Sequence, residues 1–190
     1  MRSTARMRLL FLLLAALPVS VPVHASPLDA LEVMTSTIFL RDQSSFSGIG
    51  LRLKIQPPQL IDGLTIVPLV EYWRVKGKLR TFGVGFSRKD ATMGGFVRYD
   101  FKREGWHPYA GLGIAAHFIS DEVDAPTIPL QGSDSLIKGG ALLIGGVSFG
   151  ISGNLGNLIE AEYHVLSDQS QFKLNWGLTW QFTAAGDSGR

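Results

Sequence analysis

Residues 172–182 read FKLNWGLTWQF, and this stretch decides the fold. Phe172, Leu174, Trp176, Leu178, Trp180 and Phe182 alternate without a break with Lys173, Asn175, Gly177, Thr179 and Gln181. A period of two puts all the large apolar side chains on one face of a β-strand and none on the other, which a helical period cannot do. The segment is 11 residues long, and a strand tilted through a bilayer needs ~9–11.

Working upstream, the same alternation recurs. Ile159, Ala161, Tyr163 and Val165 alternate with Glu160, Glu162 and His164. Ala110, Leu112, Ile114, Ala116 and Phe118 alternate with Gly111, Gly113, Ala115 and His117. Met93, Val97, Tyr99 and Phe101 oppose Gly94, Phe96, Arg98 and Asp100, and Ile49, Leu51, Leu53 and Ile55 oppose Gly48, Gly50, Arg52 and Lys54. Residues 64–74 and 139–150 are strand-like with both faces apolar, so their phase stays open. Pro68 lacks a ladder donor and predicts a bulge or an irregular position there. Ser26-Pro27 could open a helix, but Thr35-Ser36-Thr37-Ile38 favours extended structure, and residues 31–40 read as a weakly patterned first strand.

Counting residues 79–87 gives nine candidate strands, and a barrel of this kind takes an even number. Beginning at residue 31 leaves three short turns, 56–63, 102–108 and 151–158, and makes Val75–Lys89 a long external loop with some hairpin character. Beginning at residue 46 would instead make 79–87 a strand. The matched turns favour the first arrangement. Asp121–Lys138 then lies on the same side as Val75–Lys89.

The first 25 residues are read as a signal peptide. Arg2, Arg6 and Arg8 precede the apolar run Leu9–Leu17, and Val23-His24-Ala25 supplies the small residues for cleavage after Ala25. Nine apolar residues fall well short of the roughly 20 a helix needs to span a bilayer. Removing the three leader arginines from 18 basic residues leaves 15 against 16 acids, so the mature chain is near neutral and no nucleic-acid partner is implied. There is no cysteine, which removes disulfides, thiolate metal sites and cysteine nucleophiles. With 45% hydrophobic residues and no long apolar helix past the leader, the apolar side chains must fill a soluble core or coat a barrel.

The strand faces choose between these. An eight-stranded barrel has an interior just wide enough to be filled by side chains, and the apolar set of the last strand alone would crowd it. Turned outward, the set meets lipid, with Phe172, Trp176, Trp180 and Phe182 as membrane-facing aromatics. Arg52, Lys54, Arg98 and Lys173 then face Glu71, Asp100, Glu160 and Glu162 across the interior, with His164 among them. Four charges of each sign suit a closed, ion-paired lumen, since an unpaired buried charge costs several kcal/mol.

Three segments carry a resemblance: HPYAGLGIAAHF (107–118), LIEAEYHVL (158–166) and FKLNWGLTWQF. They resemble the later strands of the outer-membrane β-barrel domain family, the small OmpA- and OmpW-like barrels. The likeness covers residues 90–182 well and 31–89 loosely. It implies an eight-stranded antiparallel up-and-down transmembrane barrel over 26–182, inserted by the outer-membrane assembly machinery. It does not choose among the structural, adhesive, stress-related and small-solute roles found on that fold. The chain differs from many members in the polar tail Thr183–Arg190 that follows Phe182.

Some barrels of this size resemble serine hydrolases that deacylate lipid A, with His and Ser two positions apart on one face. Here His164 and Ser167 are three apart, on opposite faces of a regular strand, so Glu160 or Glu162 with His164 and Ser167 makes a poor triad. Asp121, Glu122, Asp124 and Asp134 match no calcium loop with its central glycine and read as a solvated acidic loop. No helix follows the glycines of 111–113 and 139–150, so they cradle no phosphate; they fit close packing in a narrow barrel. Residues 74–89 carry Arg74, Lys76, Lys78, Arg80, Arg88 and Lys89 and no acid. On an external loop these cations would contact lipopolysaccharide phosphates. The resulting expectation is a monomeric integral outer-membrane protein with no open pore, no cofactor, no metal and no catalytic residues, acting in structure or interaction at the envelope. The alternatives are the lipid A deacylase and a soluble periplasmic barrel for a small hydrophobic ligand.

Overall fold

Alternation of buried and exposed residues is clearest in the first, second, seventh and eighth strands of the computed structural model, which describes residues 28–40, 45–57, 61–79, 84–101, 105–124, 132–167 and 170–182. The strands are β1 (Leu28–Leu40), β2 (Phe46–Ile55), β3 (Leu64–Leu79), β4 (Val84–Asp100), β5 (His107–Asp124), β6 (Gly132–Ser152), β7 (Leu155–Leu166) and β8 (Gln171–Gln181). Each pairs antiparallel with the next, and β1 pairs with β8 from Ala30↔Gln181 to Leu40↔Gln171, closing the barrel. Beyond the last rung, Phe182 N donates to Asp29 O at 2.8 Å. The leader and the tail 183–190 lie outside the described residues.

The barrel begins near residue 31, as the matched turns suggest, and residues 79–87 are not a strand of their own. The two segments expected to be long loops are corrected. Arg74–Leu79 pairs with Val84–Lys89, and Ser120–Val123 pairs with Gly132–Ser135. These rungs prolong β3–β6 into a four-stranded extension past the ends of β1, β2, β7 and β8. The extension escaped the sequence reading because its outer face is polar: Arg74, Lys76, Ser87, Lys89, Ser120 and Glu122 replace the apolar residues that mark a lipid-facing strand.

At the opposite end lie the start of β1, the end of β8 and three connections of two to eight residues. Each holds a glycine with positive φ, a conformation L residues rarely adopt: Gly63 (φ 86°), Gly105 (φ 77°) and Gly153 (φ 53°). The last connection is shorter than expected, because β6 runs to Ser152 and β7 starts at Leu155. Pro68 causes no bulge. The β2–β3 register is constant from Gly48↔Trp73 to Ile55↔Ile66, but the rungs opposite Val67 and Pro68 are missing. Without an N–H, Pro68 cannot donate there.

The burial pattern is inside-out for a water-soluble protein. One apolar residue from each strand in turn, Val33, Leu51, Val70, Val97, Ile114, Leu143, Ile159 and Trp176, is 41–75% exposed, forming a belt far larger than the scattered apolar residues of ordinary surfaces. Phe172, Trp180 and Phe182 face the same way. Inside, Arg52, Arg98 and Lys173 are among the largest fully buried side chains. The interior is not wholly polar, however. The two segments of open phase send Val67, Leu69, Leu142 and Ile144 inward, where they pack with Phe96 and Tyr109. Toward the extension, Ile38, Leu40 and Trp73 form a second apolar cluster with Phe46 and Val75.

Close packing inside depends on missing side chains. A Cβ on Gly113 would sit 2.2 Å from Gly95 O and 2.5 Å from Phe96 Cβ, and neither neighbour can yield without breaking a ladder. Gly113→Val is therefore expected to cost ~1–3 kcal/mol of stability. It should lower the urea midpoint of the detergent-folded barrel and weaken its heat-modifiable gel band.

Candidate functional site

Every strand except β6 supplies at least one polar side chain to the interior, and together these make three connected groups. The first is centred on Arg52 of β2. Its Nη1 donates to Glu160 Oε1 at 2.9 Å, and its Nη2 donates to Glu162 Oε2 at 2.9 Å and Glu71 Oε1 at 3.2 Å. Lys173 Nζ donates to the other Glu71 oxygen. Asn175 Nδ2 donates to both Glu160 and Glu162, and the Tyr109 hydroxyl to Glu160. Charge-assisted bonds of this kind are the strong ones in a low-dielectric interior.

The second group lies nearer the tight turns. Arg98 donates to Glu32 Oε1 at 2.8 Å and to Asp100 Oδ1 at 2.8 Å, while Lys54 Nζ lies 3.1 Å from both Asp100 and Asp29. The Arg98 guanidinium also lies 3.5 Å from the Tyr109 ring centroid, joining the polar and apolar sides of the lumen. The third group links Asp90, His117, His164 and Glu162 in single file.

All nine residues assigned to the lumen from the sequence face the interior, but the balance of four against four does not survive. Glu32 and Asp90, both at most 1% exposed, add two carboxylates, making six against the four cations Arg52, Lys54, Arg98 and Lys173. Glu32 was hidden because its strand is apolar on the inner face too, at Met34, Ile38 and Leu40. Asp90 was hidden at the edge of a presumed loop. Its shared parity with Arg98 was the available signal.

The Ile38–Leu40–Trp73 cluster stands on the extension side. On the turn side a cavity of about 240 Å³ opens among Lys54, Asn157, Thr179 and Gln181 and is walled by Glu32 and Arg98. Among the described residues, Glu71, Glu162 and His164 bring donor atoms within 4.8 Å of one another, a spacing that could hold a cation. Lys173 and Arg52 already supply positive charge to these carboxylates, so a metal ion is not needed to balance them. His164 is fully buried and spends both ring nitrogens on His117 and Glu162. It has no nitrogen left to bond Ser167.

The basic residues of 74–89 separate. Arg88 faces inward and pairs with Asp121 at 2.6 Å, and Lys89 on the outer face pairs with Glu122 at 2.6 Å. The ammonium of Lys89 holds the Glu122 carboxyl below the usual carboxylate range. The acids absent from this stretch of sequence thus come from the neighbouring hairpin, including two members of the presumed acidic loop. Two of the six cations read as lipopolysaccharide contacts are paired within the protein. Arg74 and Lys76 remain exposed on the outer face, with Arg74 Nε donating to Ser87 Oγ at 3.2 Å. Lys78 lies on the same strand, and Arg80 lies outside the described residues.

No protein-family model matches the sequence, and no curated protein matches it. Solved structures do. The chain superposes on a major outer membrane protein of Thermus thermophilus with a TM-score of 0.60 and 11% identity, covering 80% of this chain and 99% of that one. It matches Ail, the attachment invasion locus protein of Yersinia pestis, solved in complex with the heparin analogue sucrose octasulfate (TM-score 0.56, 13% identity, 84% of this chain and 100% of that one). Neisserial surface protein A matches with a TM-score of 0.51 and 19% identity over 84% and 99% of the two chains. With its closed antiparallel ring, apolar belt and ion-paired lumen, this chain has the fold of the small eight-stranded outer-membrane β-barrels.

Proposed function

We propose that the chain is a monomeric integral outer-membrane protein in which the barrel is a closed anchor and the one-sided extension is the working surface. Its leader would be removed after Ala25, and the outer-membrane assembly machinery would insert it with the tight turns in the periplasm. The observation that carries this reading is the pairing of an apolar belt outside with a lumen locked by Arg52, Arg98 and Lys173 inside. Such a barrel holds itself in lipid and passes no solute.

The extension then stands in the layer of lipopolysaccharide phosphates. Among the described side chains its outer face carries Arg74, Lys76 and Lys89 against Glu122, a net positive surface. That Ail was solved with a polysulfated ligand supports an anionic polymer as the class of partner, with lipopolysaccharide the one always at hand. A cation near an anionic surface contributes on the order of 1 kcal/mol, screened by salt.

Two measurements test this. Reconstituted protein should give no stable conductance of general-porin size in planar bilayers; such conductance would overturn the closed anchor. Replacing Arg74 and Lys76 together with Gln should weaken lipopolysaccharide binding roughly tenfold or more at low salt, with the barrel still folded. Unchanged binding would overturn the surface assignment.

A further inference from the structure

The file of Asp90, His117, His164 and Glu162 crosses the interior from β4 and β5 to β7. Asp90 Oδ2 lies 2.9 Å from His117 Nδ1, His117 Nε2 lies 2.9 Å from His164 Nδ1, and His164 Nε2 lies 2.5 Å from Glu162 Oε1. All four residues are at most 1% exposed. Every one of these contacts joins two atoms that carry lone pairs. Each is attractive with one proton between them and repulsive with none or two. Three contacts therefore need three protons.

Two neutral imidazoles bring two protons, and two carboxylates bring none. The geometry points to a binding site for one further proton, held in this file near neutral pH and closed to a second. Placing that proton on an imidazole or on Glu162 leaves the count unchanged. The Thr92 hydroxyl donates to Asp90 Oδ1 at 3.2 Å, and its oxygen lies 3.0 Å from His117 Nδ1, so the His117 Nδ1–H is shared between Asp90 Oδ2 and an oxygen whose own proton is already committed. Gln171 Nε2 donates to Asp90 Oδ2 at 3.1 Å.

The surroundings fit this count. Asp90, Glu162 and, from β3, Glu71 favour the third proton. Lys173 of β8, Arg52 of β2 and Lys138 of β6, which stands opposite His117 in the register, oppose a fourth. At this level β1 contributes the uncharged Met34, Ser36 and Ile38. A fourth proton would set two N–H groups head to head across 2.9 Å. The rings would part, and the link between β5 and β7 over the inner face of β6 would be lost.

The count fixes a pH profile. In the unfolded chain each imidazole titrates near ~6.5, so the two rings hold four protons below that pH and two above it. The folded file holds three. On the acid side the unfolded chain binds more protons, and stability rises with pH. On the alkaline side the folded chain binds more, and stability falls with pH. The contribution of the site peaks near pH ~6.5, and the unfolding constant grows by up to about tenfold per pH unit on either flank.

The test is denaturant unfolding of the mature chain in detergent micelles from pH 5 to 8.5, beside the double variant His117→Gln/His164→Gln. Subtracting the variant cancels the remaining titrating groups. A difference curve that peaks near pH 6.5 supports the site; a flat or monotonic difference overturns it. A nitrogen-15 NMR measurement on the unaltered protein decides independently, even if the variant does not fold. At pH 6.5 one of the two facing nitrogens, His117 Nε2 and His164 Nδ1, should carry a proton and the other should not, with scalar coupling across the contact. Finding both protonated or both bare overturns the assignment. The outer contacts of His117 Nδ1 with Asp90 and of His164 Nε2 with Glu162 should each hold a proton as well; an outer contact without one means two protons rather than three and overturns the count.

Discussion

Arg52→Met is expected to cost the barrel at least ~3–5 kcal/mol, the range for removing one partner of a buried ion pair, and to abolish the folded form if the reserve is smaller. One guanidinium bonds Glu71, Glu160 and Glu162 at once, so its loss leaves three carboxylates in a dry interior with less than their charge complement. Methionine keeps much of the volume, which separates the electrostatic effect from a cavity. Loss of the heat-modifiable gel band and a large fall in the urea midpoint would report it. Adding Glu160→Gln and Glu162→Gln to Arg52→Met should recover much of the loss, because the orphaned charges go with their partner. A cost below about 1 kcal/mol for Arg52→Met alone, the range of a solvent-exposed ion pair, would show that the lumen is wet rather than packed.

Ile114→Arg separates a lipid-facing belt from a water-facing one. Ile114 is 75% exposed in the middle of β5. In a water-soluble barrel a charged residue at so open a position would be neutral or mildly stabilising. On the lipid face near the bilayer midplane it should cost ~2–4 kcal/mol. The comparison is to be made in lipid vesicles, with the equivalent change at exposed Lys76 (to Arg) as the control that should move nothing. An Ile114→Arg barrel as stable as the unaltered one would count against membrane placement.

The sequence made the fold legible wherever one strand face had to be apolar and the other small or charged. β7 and β8 meet that condition along nearly their whole length, and β2, β4 and β5 over their lipid-facing parts. Legibility failed where lipid or lumen did not impose the contrast. Above the belt, Arg74–Leu79 and Val84–Lys89 are as regularly paired as any rung, yet water on the outer face leaves no apolar stripe to read. Within the belt, β3 and β6 face apolar neighbours inside as well as lipid outside, so Val67, Leu69, Leu142 and Ile144 erased the alternation. The charged lumen was readable for residues on clearly phased strands. Glu32 lay on a weakly patterned strand, and Asp90 lay at the edge of a presumed loop, beyond the part of β4 whose phase was read. His117 had the right parity, but its worth depends on His164 coming within hydrogen-bond distance from another strand, which parity along one strand does not supply.

The β1–β8 seam has a consequence for how the molecule comes into being. The other seven strand pairs join neighbours along the chain, but the seam joins Ala30 to Gln181, nearly the whole span of the described residues apart. Non-local contacts of this kind slow folding, because chain entropy is lost before the contact is gained. A sheet lacking β8 would present two unsatisfied edges, on β1 and β7, each a template for pairing with a foreign strand. The charged interior would also be open to the bilayer, with Arg52 and Glu162 lacking Asn175 and Lys173 beside them. Insertion into lipid strand by strand is therefore disfavoured. The chain must be kept unfolded until its last residues are available, and then close as a unit.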